Sequence, residues 1–222
     1  MIPPFVYHHL GLGDHFICNA IVRHYEKKYG MINLFAKHHN AVSVKAMYRD
    51  IDVNVVAVKD DAEAEKILSE NYSAKVFKIG FTDIEHTENY EEMFYRLADV
   101  PFNMKWDGFK YESDSVKPPE LIPPDKPYKF IHQDVSRGFK IRDKYFDNND
   151  MLVIEQNRNI TDNILLWDDI LKNAEEIHCI ESCFMFFADL IPTKGKLFVH
   201  RYARKMVRFE VPKMRKDWNI II

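Results

Sequence analysis

The feature that most constrains this chain is an alternation. Short β-branched and aromatic runs take turns with segments whose apolar residues recur at helical spacing. Residues 5–9, 32–36, 53–58 and 74–79 read as strands. After the first of them, Ile17, Ala20, Ile21, His24 and Tyr25 fall on one face of a helix. That helix is predicted to end at Gly30, after Lys27 and Lys28, where a glycine and cations suit a C-terminus. Val42, Lys45, Ala46 and Arg49 predict a second helix, and 60–70 a charged third with Asp61 as its candidate cap. Strands separated by such helices need right-handed crossovers, so the expected architecture is α/β with a parallel sheet.

The pattern breaks and then resumes. A helix is expected over 88–99, followed by a polar stretch, and then five of the ten prolines fall within residues 117–127. Such a run is extended and semi-rigid, which marks a domain boundary. Strands are expected again at 128–132, 151–155, 176–180 and 196–200, with helices at 162–173 and from Ser182 to Leu190. The tail from 201 to 222 has little helical patterning. The expected organisation is an N-terminal α/β domain over 1–117, a proline-rich linker over 118–127 and a C-terminal α/β domain over 128–222. At 222 residues the chain holds roughly one and a half average domains, so both are undersized.

Composition removes several classes of function. Thirty-one Lys and Arg against thirty-four Asp and Glu give a net charge of −3, which carries no basic excess for nucleic acid. Sixteen Phe and eleven Tyr supply enough apolar area to fold. No apolar run is long enough for a transmembrane segment. The N-terminus has no basic region before its apolar residues, so no signal peptide is expected. Cys18, Cys179 and Cys183 are an odd set without framework spacing, read as reduced, buried thiols in a cytoplasmic protein. No zinc pattern occurs, and the adjacent pairs His8-His9 and His38-His39 would point to opposite sides of an extended chain. No metal or other cofactor is expected.

In an open parallel sheet, ligands bind beyond the carboxyl ends of the strands. Two junctions stand out there. The first is His9-Leu10-Gly11-Leu12-Gly13-Asp14-His15. Its glycines allow close approach of a ligand, although it matches neither a dinucleotide fingerprint nor a P-loop. Asp14 is equally placed as a helix cap or as a general base. The second is Ile177-His178-Cys179-Ile180-Glu181-Ser182-Cys183. Ser182 is expected to cap a helix, while its hydroxyl and the following amides suit a phosphate; an ordinary cap without ligand is the competing reading. Arg137 and Lys140 follow the first strand of the second half, where they would grip a diphosphate unless they form a solvated loop. Asp50-Ile51-Asp52 resembles a metal-binding acid pair but precedes its strand, at the wrong end of the sheet.

The run from His9 to Asp14 and the amphipathic helix after it resemble the opening of heptosyltransferase-like (family 9-like) glycosyltransferases of the GT-B fold. Thr161-Asp162-Asn163-Ile164, Trp167, Ala174, Glu176-Ile177-His178 and Ser182 to Phe184 are similar to their donor-binding half. The resemblance implies two small Rossmann-like domains facing across a cleft. It implies a metal-independent transfer of sugar from a nucleotide-diphosphate sugar to a hydroxyl acceptor, a glycan or another alcohol. Asp14 would be the catalytic base, with Gly11 and Gly13 in its loop. The donor side would comprise Ser182, Cys183, Arg137 and Lys140, with His15 and His132 as further acceptor or phosphate contacts and Glu181 or Glu155 on ribose hydroxyls. Cys183 stands where the resemblance leads one to expect a second serine. The competing function is a non-catalytic nucleotide- or sugar-binding protein of the same fold. A nucleotide-sugar epimerase would need a dinucleotide, against which the incomplete glycine pattern argues.

Overall fold

The computed structural model describes residues 2–81, 89–146, 151–205 and 210–222. The chain divides into two compact units, Met1–Glu112 and Ser113–Ile222. The segment expected as a linker, 118–127, therefore falls inside the second unit. There a 3₁₀ turn at Pro119–Leu121 buries Leu121 completely.

The first unit contains β1 (Phe5–Tyr7), α1 (Leu12–Ile17), α2 (Asn19–Tyr29), β2 (Ile32–Lys37), α3 (Ala41–Met47), β3 (Val53–Val58), α4 (Asp61–Glu70), β4 (Val76–Lys78), α5 (Tyr90–Leu97) and α6 (Met104–Asp107). Its strands are ordered β3-β2-β1-β4, every pair parallel. Ile32 to Ala36 of β2 are buried without alternation, because a parallel strand flanked on both sides and covered by helices has no wet face. Phe5 and Phe35 stack at 5.3 Å across β1 and β2, with Tyr7 edge-on to Phe35. Arg23 on α2 donates to both carboxylate oxygens of Asp50, at 2.7 and 2.8 Å, and to the carbonyls of Met47 and Lys110. The Asp50-Ile51-Asp52 pair thus stands at the amino end of β3, with Asp50 committed to a structural clamp.

The second unit contains β5 (Tyr128–His132), β6 (Leu152–Glu155), α7 (Asp168–Asn173), β7 (Glu176–Cys179), α8 (Cys183–Leu190), β8 (Lys196–His200) and β9 (Trp218–Ile221). The order is β6-β5-β7-β8-β9, again all parallel. The chain is therefore an α/β protein with two Rossmann-like parallel sheets of four and five strands.

Several elements differ from expectation. The helix expected from Ile17 starts earlier, at Leu12, and breaks at Cys18 into α1 and α2. Asp60, not Asp61, caps α4, its carboxylate accepting the Glu63 N–H at 3.1 Å. The helix expected over 162–173 is a 3₁₀ turn, Ile164–Trp167, leading into α7, with Asn163 accepting the Leu165 N–H. The helix expected over 88–99 is α5; residue 88 lies outside the described residues. The unpatterned tail ends in a strand, β9, that completes the edge of the second sheet.

Candidate functional site

Each sheet has a switch point, where the chain stops adding strands on one side and crosses to the other. In the first unit it lies between β1 and β4, and in the second between β5 and β7. Crevices open at the carboxyl ends of strands at such points. The residues that follow β1 and β4 are His8 to Asp14 and Ile79 to Phe81. Those that follow β5 and β7 are Gln133 to Lys140 and Ile180 to Cys183. Both junctions singled out in the sequence thus sit at switch points.

In the first unit Gly11 is the N-cap of α1, in extended conformation, so Gly13 and Asp14 lie within the first helical turn rather than in a loop. A Cβ on Gly11 would stand 2.5 Å from an Asp14 carboxylate oxygen. Only glycine leaves room for the carboxylate to fold back over the helix start. Asp14 is half-buried, and burial pushes its carboxyl up from 3.8 to about 6. The charge of His9 and the backbone N–H groups of Asp14 and Gly11 pull it down, while the charge of Glu91 on α5 pushes it further up. An acid that titrates near neutrality is suited to take a proton from a hydroxyl.

The histidines flanking this loop differ in exposure. His15, proposed as a ligand contact, is completely buried, its ring edge-on to that of His8 at 4.5 Å. One helical position beyond Asp14 turns it inward. His8 is buried as well, and burial pushes it down to about 4. His9, for which the sequence suggested no role, is exposed.

In the second unit Ser182 occupies the N-cap of α8, yet its hydroxyl makes no cap bond. Ser182 Oγ is buried and has no hydrogen-bond partner among the described residues, which corrects the expected cap. His132, the last residue of β5, is 7% exposed, packs its ring at 4.6 Å from Phe184 of α8 and leaves Nδ1 without a partner among the described residues. Burial pushes its imidazole down to about 3, Asp134 pulls it up, and Arg158 and Arg137 push it further down. The same two arginines act on Cys183, whose thiol burial pushes up to about 11 against their pull and that of the Phe184 and Cys183 amides. Cys183 is half-buried rather than buried; Cys18 and Cys179 are buried.

The remaining expected residues divide. Arg137 is held to Asp134 at 2.6 Å and stays exposed. Lys140 is exposed and makes no ion pair among the described residues. Glu181 is buried and accepts Arg201 Nε at 2.8 Å, and Glu155 accepts Gln133 Nε2 at 2.8 Å, so both ribose candidates already hold donors of the protein. Arg158, whose charge reaches His132 and Cys183, carried no sequence signal, because an isolated arginine in a loop has no periodicity or motif. Among the described residues no group of three His, Cys, Asp or Glu is placed to hold a metal ion, and no helix is long and apolar enough to cross a membrane.

These sheets and their order can be set beside known proteins. No family model and no curated protein sequence matches the chain. Among solved structures it is similar to the iron-containing dodecameric glycosyltransferase TibC of enterotoxigenic E. coli H10407, with a TM-score of 0.56 at 8% identity. The likeness covers 89% of this chain and 57% of TibC, so the chain spans little more than half of that protein. At this identity the likeness is one of fold: the chain has a glycosyltransferase-like, two-unit α/β architecture.

Proposed function

We propose that the protein is a metal-independent glycosyltransferase, heptosyltransferase-like, that moves a sugar from a nucleotide-diphosphate sugar to a hydroxyl acceptor. The observation that carries this reading is Asp14, a half-buried carboxyl lifted to about 6 at the switch point of the first sheet. Its ionised form takes the acceptor's hydroxyl proton as the oxygen attacks the anomeric carbon. The bond from that carbon to the diphosphate breaks, and the nucleoside diphosphate leaves with its negative charge. Ser182 Oγ and His132 Nδ1, buried polar atoms without partners among the described residues, and the charges of Arg137 and Arg158 that act on His132 and Cys183 suit that charge. Such preorganised groups can perform the work otherwise given to a metal ion. Gly11 admits the Asp14 carboxylate, and Gly13 keeps the turn before it free of a side chain.

A panel of nucleoside diphosphates in thermal-shift assays tests the donor side, since a ligand of the native state raises its melting temperature. Stabilisation by one of them is expected, followed by transfer from the corresponding nucleotide sugar. If none stabilises the protein at millimolar concentration, the reading fails. Stabilisation without any transfer identifies a binding protein instead.

A further inference from the structure

We propose that His9 is a second residue of the acceptor site, offering its imidazole to a pyranose-like acceptor whose apolar face lies on Phe81. The inference rests on the transferase reading and supplies its missing acceptor chemistry.

Three elements build a seat for this ring. His9 follows β1, Gly80 and Phe81 follow β4, and Phe94 projects from α5. The His9 ring lies 4.9 Å from that of Phe81 and 5.8 Å from that of Phe94. Gly80 has φ +87°, and a Cβ there would stand 2.5 Å from Phe94 and 3.0 Å from both Cδ2 and Nε2 of His9. A left-handed glycine is thus required for the imidazole to occupy this place. The seat lies between β1 and β4, the switch point where Asp14 also stands.

Exposure is what separates this ring from its neighbours. His8 and His15 are buried, whereas His9 is exposed and Phe81 is 39% exposed beside it. Tyr7 lies beneath Phe81, with centroids 4.4 Å apart, and holds the platform from below. An exposed aromatic face next to an imidazole and a carboxyl matches a sugar, which presents C–H groups on one face and hydroxyls at its edge. The charged groups bearing on Asp14 are His9 and, from α5, Glu91, which is itself paired with Lys105 of α6 at 2.9 Å. Of these two side chains, His9 lowers the Asp14 carboxyl and Glu91 raises it.

Saturation-transfer NMR with the methyl pyranosides of glucose, galactose and mannose tests the seat in the full chain. Titration of the Asp14 carboxyl carbon tests the electrostatic contact. At least one pyranoside is expected to bind the unsubstituted protein. His9→Ala weakens that binding about tenfold, the worth of one hydrogen bond with its packing. His9→Gln, which keeps a donor and acceptor, restores most of it. Both substitutions raise the Asp14 midpoint, because both remove the group whose charge lowers it. Absence of pyranoside binding by the unsubstituted chain overturns the proposal, as does an unchanged affinity in His9→Ala or an unmoved midpoint in both variants. Nucleoside-diphosphate stabilisation is expected to survive both substitutions. Its absence from the unsubstituted protein sinks the transferase reading, while the sugar and titration results still decide the role of His9.

Discussion

Asp14 and Asp168 each occupy the first turn of a short helix, α1 in the first unit and α7 in the second. Burial pushes both carboxyls upward. In Asp14 the charge of His9 and two backbone N–H groups oppose it only in part, and the group ends at about 6. In Asp168 the donors Lys117, Lys172 and Ser113 overcome burial and hold the carboxyl down at about 2. The Asp169 N–H adds a further bond at 2.8 Å. Helix position and residue type are therefore shared, and the surrounding donors decide what the carboxylate does. A fully paired one is a bolt that fastens residues 113–117 to α7. A half-buried one without a lysine is a group that can exchange a proton.

The largest expected effect breaks the reactive member. Asp14→Asn lowers transfer by about 10²–10⁴-fold, the usual contribution of a general base, and leaves nucleoside-diphosphate binding intact. The same substitution stabilises the fold at pH 7 by up to about 3 kcal/mol, since it removes the cost of ionising a carboxyl raised from 3.8 to about 6. Initial rates and unfolding midpoints check both halves of this prediction. A loss of stability with unchanged rates would make Asp14 a structural group like Asp168.

Breaking the paired member comes next. Asp168→Ala leaves Lys117 and Lys172 with the half-exposed Asp169 in place of a buried partner and costs about 3 kcal/mol, read from urea unfolding. Titrating the two carboxyls sharpens the contrast further, because their linkage runs in opposite directions. The contribution of Asp14 favours the folded state at acid pH and is lost as pH rises from about 4 through about 6. That of Asp168 is complete above about 4 and is lost as pH falls toward about 2. Melting temperatures of the two variants against pH should therefore diverge from the unsubstituted protein in different windows.

The smallest effect separates a working cap from one that is not. Asp60→Ala is expected to cost about 1 kcal/mol, because that carboxylate caps α4. Ser182→Ala is expected to cost almost nothing in stability, since its hydroxyl caps nothing. Instead it should weaken nucleoside-diphosphate binding about ten- to a hundredfold, the worth of one hydrogen bond to a charged group. A stability loss equal to that of Asp60→Ala would restore Ser182 to an ordinary cap.

Much of the fold was legible in the residues. Eight of the nine strands are anticipated by β-branched runs, and the parallel arrangement follows from the helices between them. β9 escaped because a short edge strand after a long irregular tail has no alternation of its own. It is a strand only because β8 presents an unpaired edge. Strand parity anticipated that His8 and His9 would face opposite ways, and one is buried and the other exposed. Parity does not say which face is core, so order alone does not distinguish exposed His9 from buried His15.

The glycines beside Asp14 and the serine at the head of α8 were visible from order alone, because close approach and helix entry are local requirements. What the Asp14 carboxyl does with a proton was not visible. Its proton affinity depends on Glu91, seventy-seven positions later in the chain, and on how deeply folding covers it. In the same way, Arg158 reaches His132 and Cys183, and Glu181 loses its freedom to Arg201, through contacts between separate elements. By itself the sequence determined the alternation of strands and helices and the two loops at the carboxyl ends, since both depend on neighbours within one turn or strand. Only the tertiary structure decided which polar groups in those loops are paired, buried or exposed, because charge and desolvation act through space between residues the chain keeps apart.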